Sequence, residues 1–478
     1  MKKLTVKPLI AALALALPCA AIAQVDNAEL LRELQELKAK VKALEDRMNA
    51  AAAAAAPAPD TAAAPVADER LDQTVTEVNK VKLKIEQMET AKEESGFAGI
   101  KISGYADPTY IFNQRRRTNS FVFLNNFSGS SGDLGKNVYG YDNSYFGSIF
   151  LRFEKKFESG AKGLIEIMPK KGYDDANNNI INQAIFSLPI KPNIKLFAGQ
   201  VGSWQGYEYQ AATLRKNITY NLLYDYAEFT YMTGAGIEFT PEGKLSGKVM
   251  IGNPATLARN YSNRSTGIHG RLDYALNDYA GVGGTIYRGK LFDKNLINVQ
   301  ADFYHNKGDW SFAGQLDYGK WDKAATNGQN AEWIGASLLA GYKFTPRAEG
   351  VLRADFIKNS KNGGGMPGNV FRETFVQTDT NGDGVIDALD DPAISVLNDP
   401  FSGFGPEIDP ATGLLKDASK GANRYALTAT LNYLLDTNVT LRAEYRLDAS
   451  SLRTFLNTKD GSYSKTNNLL GLQLIYFF

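Results

Sequence analysis

Apolar and polar residues alternate strictly along many segments of the chain from residue 98 onward. One such segment carries on its apolar face Val439, Leu441, Ala443, Tyr445 and Leu447. A period of two is typical of a β-strand with one apolar and one polar face. Alternation alone fits both a soluble sandwich and a membrane barrel, because strands in either have two unlike faces.

Sixteen segments can be placed as strands, and most are close to the roughly 9 to 11 residues that a tilted strand needs to cross a bilayer. They lie near residues 98–112, 143–154, 163–170, 180–189, 193–201, 232–240, 244–252, 267–276, 279–289, 296–305, 309–321, 332–344, 348–358, 423–435, 439–449 and 467–478. The sequence therefore predicts an all-β transmembrane antiparallel barrel of about 16 strands, with 18 as the alternative.

The connections between these segments alternate in length. Short connections include residues 191–193, 241–243, 345–347 and 436–438. The intervening connections are mostly long and include residues 113–142, 202–231, 253–266, 359–422 and 450–466. Outer-membrane barrels have short periplasmic turns and long outer loops, whereas a soluble sandwich has no reason to sort loops in this way. A closed barrel of about sixteen strands leaves an aqueous lumen.

The end of the chain carries a further signal. One face of the last predicted strand presents Leu470, Leu472, Leu474, Tyr476 and Phe478. This ending resembles Gram-negative outer-membrane porins, whose last strand ends in an aromatic residue that acts as an assembly signal. The segment 99–105 also looks like a porin first strand. The resemblance implies a barrel over residues 96–478, with Tyr476 and Phe478 as the assembly signal.

The N-terminal quarter has a different period. A heptad seam runs through Leu30, Leu34, Leu37, Val41, Leu44 and Met48, and a second through Leu71, Thr74, Val78, Val81, Ile85 and Met88. We predict coiled-coil segments at 24–49 and 68–95, joined by an Ala/Pro-rich linker at 50–67. Val and Ile at seam positions favour a trimer over a dimer. The alternative is that both helices pack back on the rest of the chain.

Residues 1–23 read as a signal peptide: three lysines, an apolar stretch, and Ala21 and Ala23 before the cleavage point. Cleavage removes Cys19, the single cysteine; a lipoprotein reading of Cys19 is the less favoured alternative because Pro18 precedes it. Export of a barrel predicts the outer membrane, with the coiled-coil stalk in the periplasm. The stalk resembles the periplasmic coiled coils of some porin-like proteins.

Charge adds a further constraint. The 53 Lys and Arg residues nearly balance the 52 Asp and Glu residues, so no basic surface for nucleic acid is expected. Alternation places charges of both signs on the inner faces, at Arg152, Glu154, Glu166, Arg271, Asp302, Arg353, Asp355, Arg442, Glu444, Arg446 and Asp448. These are the pore-lining candidates, with Arg442 and Arg446 the preferred pair. The equally weighted alternative is that they are paired structural charges that hold the wall.

The connection 202–231 is rich in aromatic residues and is the third outer loop by order. The resemblance to porins implies that this loop folds inward as a constriction. The constriction candidates are Trp204, Tyr207, Tyr209, Arg215 and Lys216. The alternatives are an aromatic girdle at the membrane interface or an extra pair of strands, which would give eighteen.

A calcium loop is predicted within the connection 359–422. Residues 379–390 match the spacing of an EF-hand loop, with Asp at position twelve as in the dockerin variant. The predicted Ca²⁺ ligands are Asp379, Asn381, Asp383, the Val385 carbonyl, Asp387 and Asp390. An ordinary Asp/Gly turn is the alternative.

The leading functional hypothesis is a passive outer-membrane porin for small hydrophilic solutes or ions. The alternative is a structural protein whose stalk tethers the membrane to the cell wall. An enzyme is not favoured, because His269 and His305 are the only histidines and no nucleophile motif lies near either. The expected partners are outer-membrane lipids, two further copies in a homotrimer held by the barrel wall and the coiled coil, and peptidoglycan.

Overall fold

The computed structural model describes residues 99–115, 117–124, 147–168, 180–241, 243–254, 266–291, 293–367, 374–376, 394–396, 404–411 and 415–478. The predicted signal peptide, both coiled-coil segments, the linker and the calcium loop lie outside these residues. None of the helices in the described part of the chain is long and apolar enough to cross a membrane.

One antiparallel sheet contains eighteen strand segments. They are β1 (Ile100–Ala106), β2 (Thr109–Asn113), β3 (Thr118–Val122), β4 (Ile149–Lys156), β5 (Lys162–Ile167), β6 (Ile181–Lys191), β7 (Ile194–Gly202), β8 (Tyr231–Phe239), β9 (Leu245–Pro254), β10 (Gly267–Asn277), β11 (Ala280–Leu291), β12 (Lys294–Lys307), β13 (Trp310–Trp321), β14 (Ala331–Thr345), β15 (Ala348–Lys358), β18 (Arg424–Asp436), β19 (Val439–Ser450) and β22 (Thr466–Phe477). Two small hairpins lie outside this sheet, β16 (Thr374–Val376) with β17 (Ile394–Val396), and β20 (Phe455–Leu456) with β21 (Tyr463–Ser464).

The sheet closes into a barrel of sixteen strands. β1 and β2 form one strand interrupted at residues 107 and 108, and β3 and β4 form the next, so the eighteen segments build sixteen strands. The last strand, β22, pairs with β19 on one edge and with β1 and β2 on the other. Among the described residues every segment of the wall except β3 pairs on both edges, and such pairing lets strands cross hydrocarbon without unpaired backbone groups. The predicted sixteen-strand barrel is confirmed.

The first outer connection differs from the prediction. β3 lies inside the segment 113–142 that was expected to be a loop, and β4 begins at Ile149, after residues 147 and 148, which are not in a strand. The break is set by Asp107 and Pro108: Pro108 has no N–H for the ladder, and the Asp107 carboxylate accepts a bond from the Ser148 amide at 2.7 Å. The chain therefore turns between β2 and β3, and the second strand stops at Val122 and resumes at Ile149.

Burial is inverted relative to a soluble protein. On β15, Leu352 is 60% exposed, whereas the next residue, Arg353, is 1% exposed. Leucines with more than half of their surface exposed recur around the wall, at Leu272, Leu316, Leu338, Leu352 and Leu427. An apolar exterior around a polar interior is the arrangement that a barrel in lipid requires.

The two ends of the barrel differ in the lengths of their connections. At one end the turns span two to five residues, as between β14 and β15 or between β18 and β19. The other end, here called the long-loop end, carries connections that include 203–230, 359–423 and 451–465. The first of these three connections enters the barrel.

Candidate functional site

Residues 203–230, here called loop L3, leave β7 and return to β8 through the interior of the barrel. L3 contains one short helix, α1 (Leu222–Tyr226), capped by the Asn221 side chain, which accepts a bond from the Tyr224 amide at 2.7 Å. Every residue from 217 to 230 is buried. L3 holds no strand, which is why the barrel has sixteen strands rather than eighteen.

Charged side chains on β15 and β19 bind the backbone of L3. The Glu444 carboxylate accepts bonds from the amides of Ile218 at 2.6 Å and Thr219 at 3.0 Å. Arg353 donates to the carbonyls of Thr219 and Tyr220, each at 2.7 Å. These bonds use donors and acceptors that a loop outside regular structure would otherwise leave unpaired in a dry interior.

The preferred pair, Arg442 and Arg446, also contacts L3. Arg442 donates to the Ala212 carbonyl at 2.9 Å and to the Arg215 carbonyl. Arg446 donates to the Tyr220 carbonyl at 2.7 Å and pairs with Asp448 at 3.1 Å. L3 therefore covers both guanidinium groups, and neither faces open lumen. This arrangement favours the structural reading of these two arginines over the pore-lining one.

Apolar contacts fix the same side of L3. Leu223 projects into the space left by the missing side chain of Gly335 on β14. The buried cluster around it includes Trp333 and Ile357 from the wall. Further round the same part of the wall, Ile218 packs over Gly471 of β22 and joins a second buried cluster.

The first residues of L3 lie against β9 and β10, close to the strand that L3 leaves. Trp204 stacks on His269 of β10 with ring centroids 5.0 Å apart, and the Lys248 Nζ lies 4.6 Å from the Trp204 ring centroid. The Trp204 carbonyl accepts a bond from Arg271 at 2.7 Å. Further along the loop, the hydroxyl groups of Tyr207 and Ser337 are 2.6 Å apart. L3 thus contacts the wall at β9 and β10 and again at β14.

Partly exposed ion pairs of both signs remain on β4 and on β7 to β10. Arg152 pairs with Glu154 at 2.6 Å, and Lys195 pairs with Glu238 at 3.7 Å. Arg271 pairs with Asp273 at 2.7 Å. A cavity of about 280 Å³ opens near this wall at the short-turn end, with Asp273, Asp302 and Tyr304 among its lining residues. This part of the inner wall keeps contact with water.

The eleven pore-lining candidates all lie on the inner face, but in two environments. Arg152, Glu154 and Arg271 are partly exposed, whereas the other eight are buried: Glu166, Asp302, Arg353, Asp355, Arg442, Glu444, Arg446 and Asp448. Among the constriction candidates, Tyr209 is 58% exposed, Lys216 pairs with Glu349, and Arg215 is buried against the Tyr220 ring. Strand parity cannot separate covered from uncovered positions, because it reports only which face a residue is on.

Three further residues belong to this interior. Lys248 and Glu349 lie on inner faces beside Met250 and Val351, so the same alternation could have found them. Glu208 accepts a bond from the Asn221 amide and pairs with Arg353, and no periodic signal in L3 marks it. The calcium-loop residues lie outside the described part of the chain; within that part, no cluster of three or more His, Cys, Asp or Glu side chains could hold a metal.

The closed wall, apolar outside and polar inside, defines a β-barrel of the outer-membrane type. The chain belongs to the family described as "Protein of unknown function (DUF3138)", whose model matches residues 1–270 and 275–478. No curated protein matches the chain.

Several solved outer-membrane proteins have a similar fold. The anion-selective porin from Comamonas acidovorans is 10% identical, with a TM-score of 0.48, over 79% of this chain and 99% of that one. The outer membrane channel DcaP of Acinetobacter baumannii is 12% identical, with a TM-score of 0.48, over 79% and 97%. A loop-deletion mutant of OmpT, an outer membrane protein of Vibrio cholerae, is 11% identical, with a TM-score of 0.47, over 79% and 99%.

Proposed function

We propose that this protein is an outer-membrane channel for passive diffusion of small hydrophilic solutes or ions. The proposal rests on the way L3 divides the inner wall into a part that the loop covers and a part, here called the uncovered wall, that it leaves exposed to the lumen. On β15 and β19 the inner arginines Arg353, Arg442 and Arg446 are buried against the loop, whereas on β4 and β7 to β10 ion pairs remain partly exposed. Solutes pass along the uncovered wall, and L3 narrows the lumen from the other side.

The uncovered wall suits polar solutes without a strong preference for one sign of charge. Its ion pairs Arg152–Glu154 and Lys195–Glu238 place opposite charges side by side, and Asp273 is exposed next to Arg271, which also binds the start of L3. Paired charges offer hydrogen bonds to a passing solute while their long-range fields partly cancel.

Single cysteines test this division directly, because Cys19 in the predicted leader is the only cysteine of the chain. In the uncovered wall we place Glu238→Cys, whose side chain is 40% exposed. The matched positions under L3 are Ser337→Cys and Thr428→Cys, both fully buried on the inner face. Each full-length variant is reconstituted in planar bilayers, and single-channel current is recorded before and after a charged thiol reagent.

We expect stepwise conductance in all variants and a change of current only for Glu238→Cys. The reagent adds a charge beside the path at position 238, whereas L3 shields positions 337 and 428. A protein that inserts without ever conducting would overturn the channel. Equal modification of all three positions would instead overturn the division of the lumen.

The membrane setting of the channel is part of the proposal. The exposed apolar belt contacts outer-membrane lipids, and three copies assemble through the barrel wall and the predicted coiled coil, with the stalk in the periplasm. The mass of the complex in detergent, with and without residues 24–95, checks the trimer and the contribution of the stalk to it.

Calcium at residues 379–390 is proposed to order the long connection between β15 and β18. Chelation should then increase cleavage of that connection by a protease. Unchanged cleavage would contradict the proposal that calcium orders this connection.

The proposal assigns no enzyme activity. His269 is buried between Trp204 and Tyr287, and neither ring nitrogen has a hydrogen-bond partner among the described residues. The described residues therefore place neither a nucleophile nor an orienting group in hydrogen-bond contact with His269. His269 instead contributes a packing surface for L3.

A further inference from the structure

Arg215 of L3 is a buried arginine whose side-chain donors have no partner among the described residues. Its side chain is buried, with the residue 3% exposed, and its guanidinium carbon lies 4.0 Å from the centroid of the Tyr220 ring. Within the described part of the chain, Nε, Nη1 and Nη2 have no hydrogen-bond acceptor. The other buried arginines that contact L3 are Arg353, Arg442 and Arg446, and each donates to a backbone carbonyl of the loop.

Aromatic and apolar side chains surround this guanidinium. Tyr105 of β1 stacks on Phe150 of β4 with centroids 5.1 Å apart, and Tyr220 stacks on Tyr224 at 4.4 Å. These four rings belong to one buried cluster. The Tyr105 hydroxyl has no hydrogen-bond partner of full geometry among the described residues, although the Ala212 amide lies near its oxygen.

The neighbouring carboxylates are bound to other groups. Asp107 accepts from the Ser148 amide at 2.7 Å and from Gln473 at 2.9 Å. Glu208 accepts from the Asn221 amide at 3.1 Å and pairs with Arg353 at 3.4 Å. Both lie within electrostatic range of Arg215, but neither forms an ion pair with it.

A buried guanidinium without acceptors is strongly unfavourable, because its charge has lost water without gaining a partner. A ligand that satisfies it must bring acceptor oxygens or a halide, and a negative charge compensates the desolvation better than a water molecule does. The ligand must also be small, because the surrounding side chains of Ala212, Tyr220 and Tyr224 are themselves buried.

We propose that the Arg215 guanidinium, together with the Tyr105 hydroxyl, binds a small anion, a halide or a carboxylate, inside the barrel between L3 and the wall of β1 and β4. The site depends on the fold of L3 and does not require the barrel to conduct. The anion is either a resident ion that stabilises the loop or a solute taken from the channel.

The direct test uses bromide as the probe. Crystals of the full-length protein grown or soaked in bromide should show an anomalous peak within hydrogen-bonding distance of the Arg215 guanidinium. In detergent at constant ionic strength, replacing gluconate by bromide or by acetate should raise the temperature at which the folded barrel is lost, since a ligand that binds only the folded state stabilises it.

Three variants locate the response. Arg215→Gln should abolish the anion-dependent rise in melting temperature. Tyr105→Phe should shift the midpoint of that rise to about 3- to 10-fold higher anion concentration, because it removes one hydrogen bond to the anion. The matched control is Arg347→Gln, an exposed arginine in the short turn between β14 and β15, which should respond as the wild type does. If Arg215→Gln does not fold, the wild-type crystal and Tyr105→Phe decide the question.

Two results would overturn the site: a wild-type protein with neither bromide density at Arg215 nor an anion-dependent melting temperature, or an Arg215→Gln variant that responds like the wild type. Reversal potentials then distinguish the two sources of the anion. Arg215→Gln lowers the anion-to-cation permeability ratio if the anion is a transported solute, and leaves the ratio unchanged if the ion is resident. Because binding is measured without current, failure of the channel proposal and failure of this site remain separate.

Discussion

Leu223 of L3 occupies the space that a side chain at Gly335 would need. A Cβ built on Gly335 would lie 2.1 Å from the Leu223 Cδ2 atom. The residue type at one position of β14 therefore controls how deeply L3 seats against the wall.

Gly335→Ala should displace L3 from this seat. Overpacking of this kind costs about 1–3 kcal/mol, so we expect a lower melting temperature and a changed single-channel conductance. Adding Leu223→Ala should recover part of the loss, because it reopens the space. Gly270→Ala is the control, since the nearest atom to its Cβ is 3.7 Å away. If the losses of melting temperature caused by Gly335→Ala and Leu223→Ala simply add in the double variant, the contact between these two positions would be contradicted.

Arg353 should matter more to stability than any ion pair on the uncovered wall. Its partners Asp355 and Glu208 have side chains 0% and 3% exposed, so Arg353→Ala leaves buried carboxylates unpaired, at about 3–5 kcal/mol. Lys195→Ala breaks a pair that is about one-third exposed, and should cost less than about 1 kcal/mol. Denaturant midpoints of the two purified variants check the order, and equal losses would contradict it.

Glu228 lies in L3 rather than in a membrane-crossing strand, and burial raises its pKa well above the usual 4.5, helped by nearby Asp317, Glu208 and Asp302. The folded state thus holds a proton that the unfolded state releases. Stability should fall as pH rises above 4.5, by at most about 1.4 kcal/mol per pH unit from this group.

Glu228→Gln replaces the titratable carboxyl group, so the stability of the variant should fall less steeply as pH rises above 4.5. It keeps an acceptor for the Gln315 side chain, which donates to Glu228 Oε1. Melting temperatures of both proteins across this range are the measurement. The same slope in the variant would show that Glu228 is ionised in the folded protein.

The C-terminal residue closes the seam of the barrel. Phe478 and Gly104 exchange two backbone bonds of 3.0 Å each. Deletion of Phe478 removes both bonds and the ring, whereas Phe478→Ala removes only the ring. If the aromatic ring is the assembly signal, both variants should give low yields of folded barrel in the outer membrane. If the seam bonds dominate, only the deletion should do so.

The wall could be read from the sequence because its rule is local. A strand between lipid and lumen alternates at every residue, so the predicted segment 348–358 matches β15 and the predicted 332–344 falls within β14. The prediction failed for β3, where the pattern is short and the strand is completed only by residues beyond a long interruption. Pro108 marked that break in the sequence, but not its consequence for pairing.

The sequence by itself determined that a closed barrel forms and which face of each strand turns inward, since both follow from a two-residue period and from loop length. Only the tertiary structure decided which inner charges meet water. Arg446 and Tyr220 are 226 residues apart, and no local pattern in the sequence predicts that the Arg446 guanidinium donates to the Tyr220 carbonyl. L3 covers some inner side chains and spares others because its path depends on long-range contacts such as Leu223 at Gly335. The arginines that looked most like pore residues therefore hold the loop.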